Sequence, residues 1–104
     1  MQVISADIPD VLIIESKIFG DPRGYFLEMW NSERYQKAGL TGTFVQDNLS
    51  FSSRCVLRGL HFQNPKAQAK LVTVLQGETY DVAVDIRVGS PTFGPGLGSP
   101  AFRE

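Results

Sequence analysis

Hydrophobic and polar positions along this 104-residue chain mostly alternate with a period of two. Short β-branched and aromatic runs are separated by glycine and proline, 10 and 6 of them, which punctuate a chain of strands. The pattern predicts strands over 11–16, 25–30, 44–50, 55–63, 70–75 and 79–87, with a turn at Gly20-Asp21-Pro22-Arg23-Gly24. One segment, 31–39, reads as a helix of about two turns. Asn31 or Ser32 supplies the N-cap oxygen, helix formers follow, and Gly39 ends it. The expectation is one mostly β domain over 1–104, with no internal repeat and no linker.

Two of these strands place polar residues where a simple sandwich would alternate to apolar ones. In 44–50, Gln46, Asn48 and Ser50 share a face, and in 79–87 Asp81 and Asp85 share one with Thr79 and Ala83. Tyr80, Val82, Val84 and Ile86 fill the opposite face. Either the polar faces look at water, as antiparallel sheets allow, or they line the polar cavity of a barrel. A two-residue turn at Gln76-Gly77 would pair Leu75 with Glu78 and Lys70 with Ala83. Asp81 and Asp85 would then be diagonal neighbours of Lys70, close enough to hold it charged between two carboxylates. A turn one residue longer or shorter would send both aspartates to the other face.

The lone histidine lies in Val56-Leu57-Arg58-Gly59-Leu60-His61-Phe62-Gln63. Strict alternation puts Arg58 and His61 on opposite faces, and a bulge at Gly59 would bring both inward. A histidine in a strand is either a hydrogen-bonded structural residue or a general base, since imidazole titrates near pH 6.5.

Composition narrows the chemistry. Ten basic and eleven acidic residues leave a net charge of −1, which gives no basic face for nucleic acid. With 42% apolar and 20% charged residues the chain is ordinary globular material. No apolar run approaches the ~18 residues that span a bilayer. Met1-Gln2-Val3-Ile4-Ser5-Ala6-Asp7 lacks the features of a signal peptide, so a soluble, cytoplasmic protein without a membrane partner is expected. A single cysteine, Cys55, excludes an internal disulfide framework. With only His61 and Cys55 as soft ligands, neither a self-contained transition-metal site nor another cofactor is expected. No glycine-rich phosphate loop occurs.

The segment around His61 closely resembles the signature of the dTDP-4-dehydrorhamnose 3,5-epimerase family. Four further blocks match in order: Phe19-Gly20-Asp21-Pro22-Arg23-Gly24-Tyr25-Phe26, Phe44-Val45-Gln46-Asp47-Asn48, Lys70-Leu71-Val72, and Gly77 to Arg87 running on to Ser90-Pro91-Thr92-Phe93-Gly94. The resemblance implies a cupin-like antiparallel β-barrel (jelly roll) with one short helix near 32–38, of which the chain would hold the N-terminal portion. It also implies a homodimer that exchanges N-terminal strands, and metal-free conversion of dTDP-4-dehydro-6-deoxy-D-glucose to dTDP-4-dehydro-L-rhamnose. By the same resemblance His61 is the base, Lys70 stabilises the enolate, and Arg58 contacts the diphosphate. Arg23, Glu28, Gln46, Asp47 and Asn48 match substrate-binding positions, with Arg23 and Glu28 reaching into the neighbouring subunit's site. Asp81 and Asp85 enter from strand pairing alone, as supports for Lys70.

The chain departs from the family after Gly94. Residues 95–104 read as a poor strand, unlike the family's continuation. The family's tyrosine proton donor and the carboxylate that orients its base have no counterpart, and none of Tyr25, Tyr35 and Tyr80 has the donor's context. Two other functions fit the residues: a non-enzymatic sugar-nucleotide binder, or an epimerase acting at C3 alone or on another deoxyketosugar.

Overall fold

The computed structural model describes residues 1–94 and, for the backbone, 96–103. Its elements are β1 (Gln2–Ser5), β2 (Leu12–Glu15), β3 (Ile18–Asp21), β4 (Gly24–Leu27), α1 (Ser32–Lys37), β5 (Gly77–Val84) and β6 (Gly96–Arg103). They form three separate two-stranded antiparallel sheets, β1–β2, β3–β4 and β5–β6. The mostly β class and the single short helix both hold.

Local signals explain the elements that form. The β1–β2 hairpin pairs Gln2 with Glu15 and Ser5 with Leu12. Its loop is tied by Ala6 N–H to Val11 O and Val11 N–H to Ile8 O, both 2.9 Å, and Ile8 is buried beneath it. In β3–β4, Asp21 pairs with Gly24 across the two-residue turn Pro22-Arg23. Pro22 fixes its own φ, and Gly24 takes φ +139°, which a side chain would resist.

Helix α1 is capped at both ends. Asn31 Oδ1 accepts from Arg34 N–H at 3.0 Å. At the other end Gly39 N–H donates to Gln36 O and Leu40 N–H to Tyr35 O, with Gly39 at φ +103°, a Schellman motif. A Lys37–Glu33 ion pair of 2.9 Å runs along its exposed side. Tyr35, 2% exposed, anchors the helix. Its ring lies 4.6 Å from that of Trp30, which meets Phe44 edge-on at 5.1 Å.

Three expectations are corrected. Residues 44–50, 55–63 and 70–75 are not strands, because a strand exists only through hydrogen bonds to a neighbour and these find none among the described residues. The hairpin at Gln76-Gly77 therefore does not form, and β5 pairs instead with β6, Gly77 opposite Arg103 and Val84 opposite Gly96. The tail expected to be a poor strand thus supplies β6, since an eight-residue strand with an open edge takes a ladder from any segment able to run beside it. Residues 95 and 104 lie outside the described residues.

The accessible surface is 9266 Å², against about 5,800 Å² for a compact chain of this size. The radius of gyration, 15.3 Å, likewise exceeds the roughly 13 Å of a compact domain. Both faces of β5 remain exposed, with Tyr80 and Val82 on the apolar side and Asp81 on the polar side. Among the described residues no helix is long and apolar enough to cross a membrane.

Candidate active site

The β3–β4 turn presents one arginine in a fixed setting. Asp21 Oδ1 accepts from the Arg23 backbone N–H at 2.8 Å, and its carboxylate takes Arg23 Nε at 3.2 Å and Nη2 at 2.6 Å. The guanidinium beside it holds the Asp21 carboxyl below its ordinary value. Antiparallel pairing sets Phe19 opposite Phe26, and these two, with Asp21, Arg23, Gly24 and Tyr25, line a shallow concavity of about 260 Å³. Just past β4, Glu28 accepts from Asn31 Nδ2 and Arg34 Nη1, both at 3.1 Å, so the start of α1 orients its carboxylate.

The stretch between α1 and β5 holds the other candidates. Gln46 Nε2 donates to Asn48 Oδ1 at 3.2 Å, as residues two apart on extended backbone can, while Asp47 between them is exposed. Arg58 Nε reaches back to Ser52 Oγ at 2.9 Å. His61 and Lys70 are both exposed. Gly59 forms no bulge, there being no ladder to interrupt. It takes φ +100° instead, and a Cβ there would stand 3.3 Å from His61 Nδ1 and 3.6 Å from His61 N. The imidazole folds back over a position that only glycine leaves open. Gly59→Ala is expected to cost about 1–3 kcal/mol and to displace the ring. Denaturant midpoints and His61 ring NMR shifts check this; unchanged values of both would contradict it.

Asp85 is not a support for Lys70. Its buried carboxylate is taken by Arg87 Nε and Nη2, both at 2.9 Å, by Arg87 N–H at 2.9 Å, and by the hydroxyls of Ser90 and Thr92 at 2.5 and 2.7 Å. Arg87 Nη1 then reaches Asp10 Oδ2 at 2.6 Å, clipping the β1–β2 loop to the end of β5. Among the described residues no hydrogen bond or ion pair joins Lys70 to Asp81 or Asp85, because the pairing that required it is taken by β6. Asp81 sits in β5 opposite Ser99.

The Arg87 side chain, then Ser90, Thr92 and the Arg87 backbone N–H, hold the Asp85 carboxyl well below the usual carboxylate range. A depressed folded pKa stabilises the fold fully above the unfolded value near 3.9, and the contribution is lost as the pH falls below it. Stability of the parent chain should therefore fall more steeply between pH 5 and pH 3 than that of Asp85→Asn, measured by denaturant midpoints. Parallel pH profiles would contradict this.

Sequence reasoning passed over Asp10, Asp21, Arg87, Ser90 and Thr92. The signals available were the Asp-x-Arg spacing, which occurs at both Asp21 and Asp85, and the hydroxyls of Ser90-Pro91-Thr92. Among the described residues no three His, Cys, Asp or Glu side chains gather where they could hold a metal ion.

The family model described as dTDP-4-dehydrorhamnose 3,5-epimerase matches residues 5–99. The enzyme of that name from Shigella flexneri is 56% identical over 100 residues, covering 94% of this chain and 55% of the relative. That from Pseudomonas aeruginosa is 52% identical over 105 residues, covering 100% and 58%. Among solved structures, the Legionella pneumophila epimerase in complex with dTDP-4-keto-L-rhamnose superposes with a TM-score of 0.92 at 52% identity, over 97% of this chain and 54% of that one. The Bacillus anthracis enzyme with TDP and PPi bound gives 0.91 at 46% identity, over 97% and 59%. The chain spans a little over half the length of these relatives and follows the path of that part of their cupin-like jelly roll. Identity at this level over the whole chain, with a family match across residues 5–99, places the chain in the dTDP-4-dehydrorhamnose 3,5-epimerase family.

Proposed function

We propose that the chain supplies the base-bearing part of an epimerase that converts dTDP-4-dehydro-6-deoxy-D-glucose to dTDP-4-dehydro-L-rhamnose. The observation that carries this reading is the superposition of 97% of the chain on an epimerase in complex with dTDP-4-keto-L-rhamnose. The C4 ketone acidifies the hydrogens on C3 and C5. His61 removes each as general base, Lys70 stabilises the enolate oxygen, and an acid returns a proton to the opposite face. Arg58 meets the diphosphate, where a planar and permanently charged fork suits phosphate oxygens. Arg23, Glu28, Gln46, Asp47 and Asn48 also hold the nucleotide-sugar, Arg23 and Glu28 across a homodimer that exchanges N-terminal strands. No step calls for a metal or a redox cofactor.

The acid is the part this chain does not identify. The Tyr35 hydroxyl is committed to Met29 O at 2.9 Å beneath α1. By the family resemblance, a tyrosine donor and a carboxylate that orients the base would come from outside the matched part.

The test is to follow the ketosugar by NMR. Inversion at both C3 and C5 by a full-length protein carrying these residues supports the proposal. Inversion at C3 alone would indicate a C3-only epimerase, and nucleotide binding without inversion a sugar-nucleotide binder.

A further inference from the structure

Arg23 lies at the tip of a two-stranded hairpin with its side chain 90% exposed, a setting in which a long cation ordinarily samples many rotamers. Here it does not stand alone. One carboxylate, Asp21, takes both its backbone N–H and two N–H groups on one edge of its guanidinium, at 2.8, 3.2 and 2.6 Å. The backbone contact fixes the turn; the side-chain contacts fix the fork. Of the five guanidinium N–H donors, the pair uses Nε–H and one on Nη2 and leaves three, including both on Nη1. Arg23 itself lines the concavity, with Phe19, Tyr25 and Phe26.

We propose that Asp21 is a positioning residue for Arg23, fixing the guanidinium so that its remaining N–H groups meet the diphosphate of the substrate nucleotide. The proposal rests on the reading of Arg23 as a substrate-binding residue and adds the group that orders it. An exposed ion pair of this kind contributes little to folding. Its effect lies in binding, because an arginine already held in its fork geometry gives up less freedom on meeting a phosphate. The opposing effect, repulsion between Asp21 and the diphosphate, acts through water and is screened by salt.

Asp21→Asn separates the two tasks. An asparagine oxygen still accepts the Arg23 backbone N–H and keeps the turn, but it no longer grips the guanidinium with charge. The experiment measures the Kd of dTDP, and of thymidine without phosphates, for the parent chain, Asp21→Asn, Arg23→Ala and the double variant at physiological salt. The expected result is about tenfold weaker dTDP binding in Asp21→Asn, unchanged thymidine binding, and no further loss when Asp21→Asn is added to Arg23→Ala. Unchanged or tighter dTDP binding in Asp21→Asn would overturn the proposal. So would an equal loss for thymidine, or a loss that persists without Arg23, each of which marks a general structural defect. If Arg23→Ala leaves dTDP affinity intact, or the parent chain binds no dTDP, the reading of Arg23 itself fails, and the proposal falls with it.

Discussion

Replacing His61 with asparagine in a full-length protein carrying these residues is expected to abolish deuterium incorporation from D₂O into the ketosugar. A neutral imidazole accepts a proton and an amide does not, and losing one general base typically costs 10²–10⁴-fold in rate. Nucleotide affinity should stay nearly intact, because Arg58 and the segment Gln46-Asp47-Asn48, not His61, make the binding contacts under this account. The exposed position of His61 favours a clean result, since few packing contacts are lost with the ring. Mass measurement of the recovered sugar decides it. Undiminished exchange in His61→Asn would remove this residue from the role of base.

The largest expected effect on stability is at Tyr35. It is one of only two buried apolar side chains among the described residues, and the Trp30–Phe44 cluster and α1 both rest on it. Tyr35→Ala is expected to cost about 3–5 kcal/mol, the range for deleting a large buried aromatic. Tyr35→Phe, which loses only the hydroxyl donated to Met29 O, should cost about 0.5–1.5 kcal/mol. With total stabilities of 5–15 kcal/mol common in small domains, the alanine variant should lie near the limit of folding. Urea midpoints of the two variants read the difference. Equal small losses in both would mean that the aromatic cluster does not hold the helix.

What the sequence announced and what it hid follow from the range of the interactions. Helix α1 was legible because its caps are local: Asn31 at one end and Gly39 at the other satisfy groups three to five residues away. The β3–β4 hairpin was legible because Pro22 and Gly24 encode the turn by themselves. Residues 44–75 alternate like strands yet form none among the described residues, since alternation describes a surface suited to a sheet and says nothing of whether a neighbour arrives. The hairpin that would have set Lys70 between Asp81 and Asp85 failed for the same reason: β6 took the edge it needed.

The candidate site shows the same division. Asp85 looked like a site residue because the expected hairpin made it a diagonal neighbour of Lys70. Its true partner set includes Arg87, which in turn pairs with Asp10, 77 residues away, a contact that no local pattern encodes. Asp21, by contrast, lay in plain view two residues before Arg23 and was passed over because an aspartate in a turn ordinarily serves only the turn. The roles of His61, Lys70 and Arg58 came from the resemblance rather than from geometry, since periodicity alone favoured a structural histidine over a base.

The central claim is that these residues place a histidine base, without a metal, against a dTDP-4-ketosugar. Site-resolved deuterium content at C3 and C5 of dTDP-4-dehydro-6-deoxy-D-glucose, after incubation in D₂O containing EDTA, tests it most directly. The account predicts deuterium at both carbons with the full-length protein, and slow exchange with little inverted product from these 104 residues alone. Exchange that stops on chelation and returns with an added metal ion would contradict it, as would intact dTDP binding with no deuterium at either carbon.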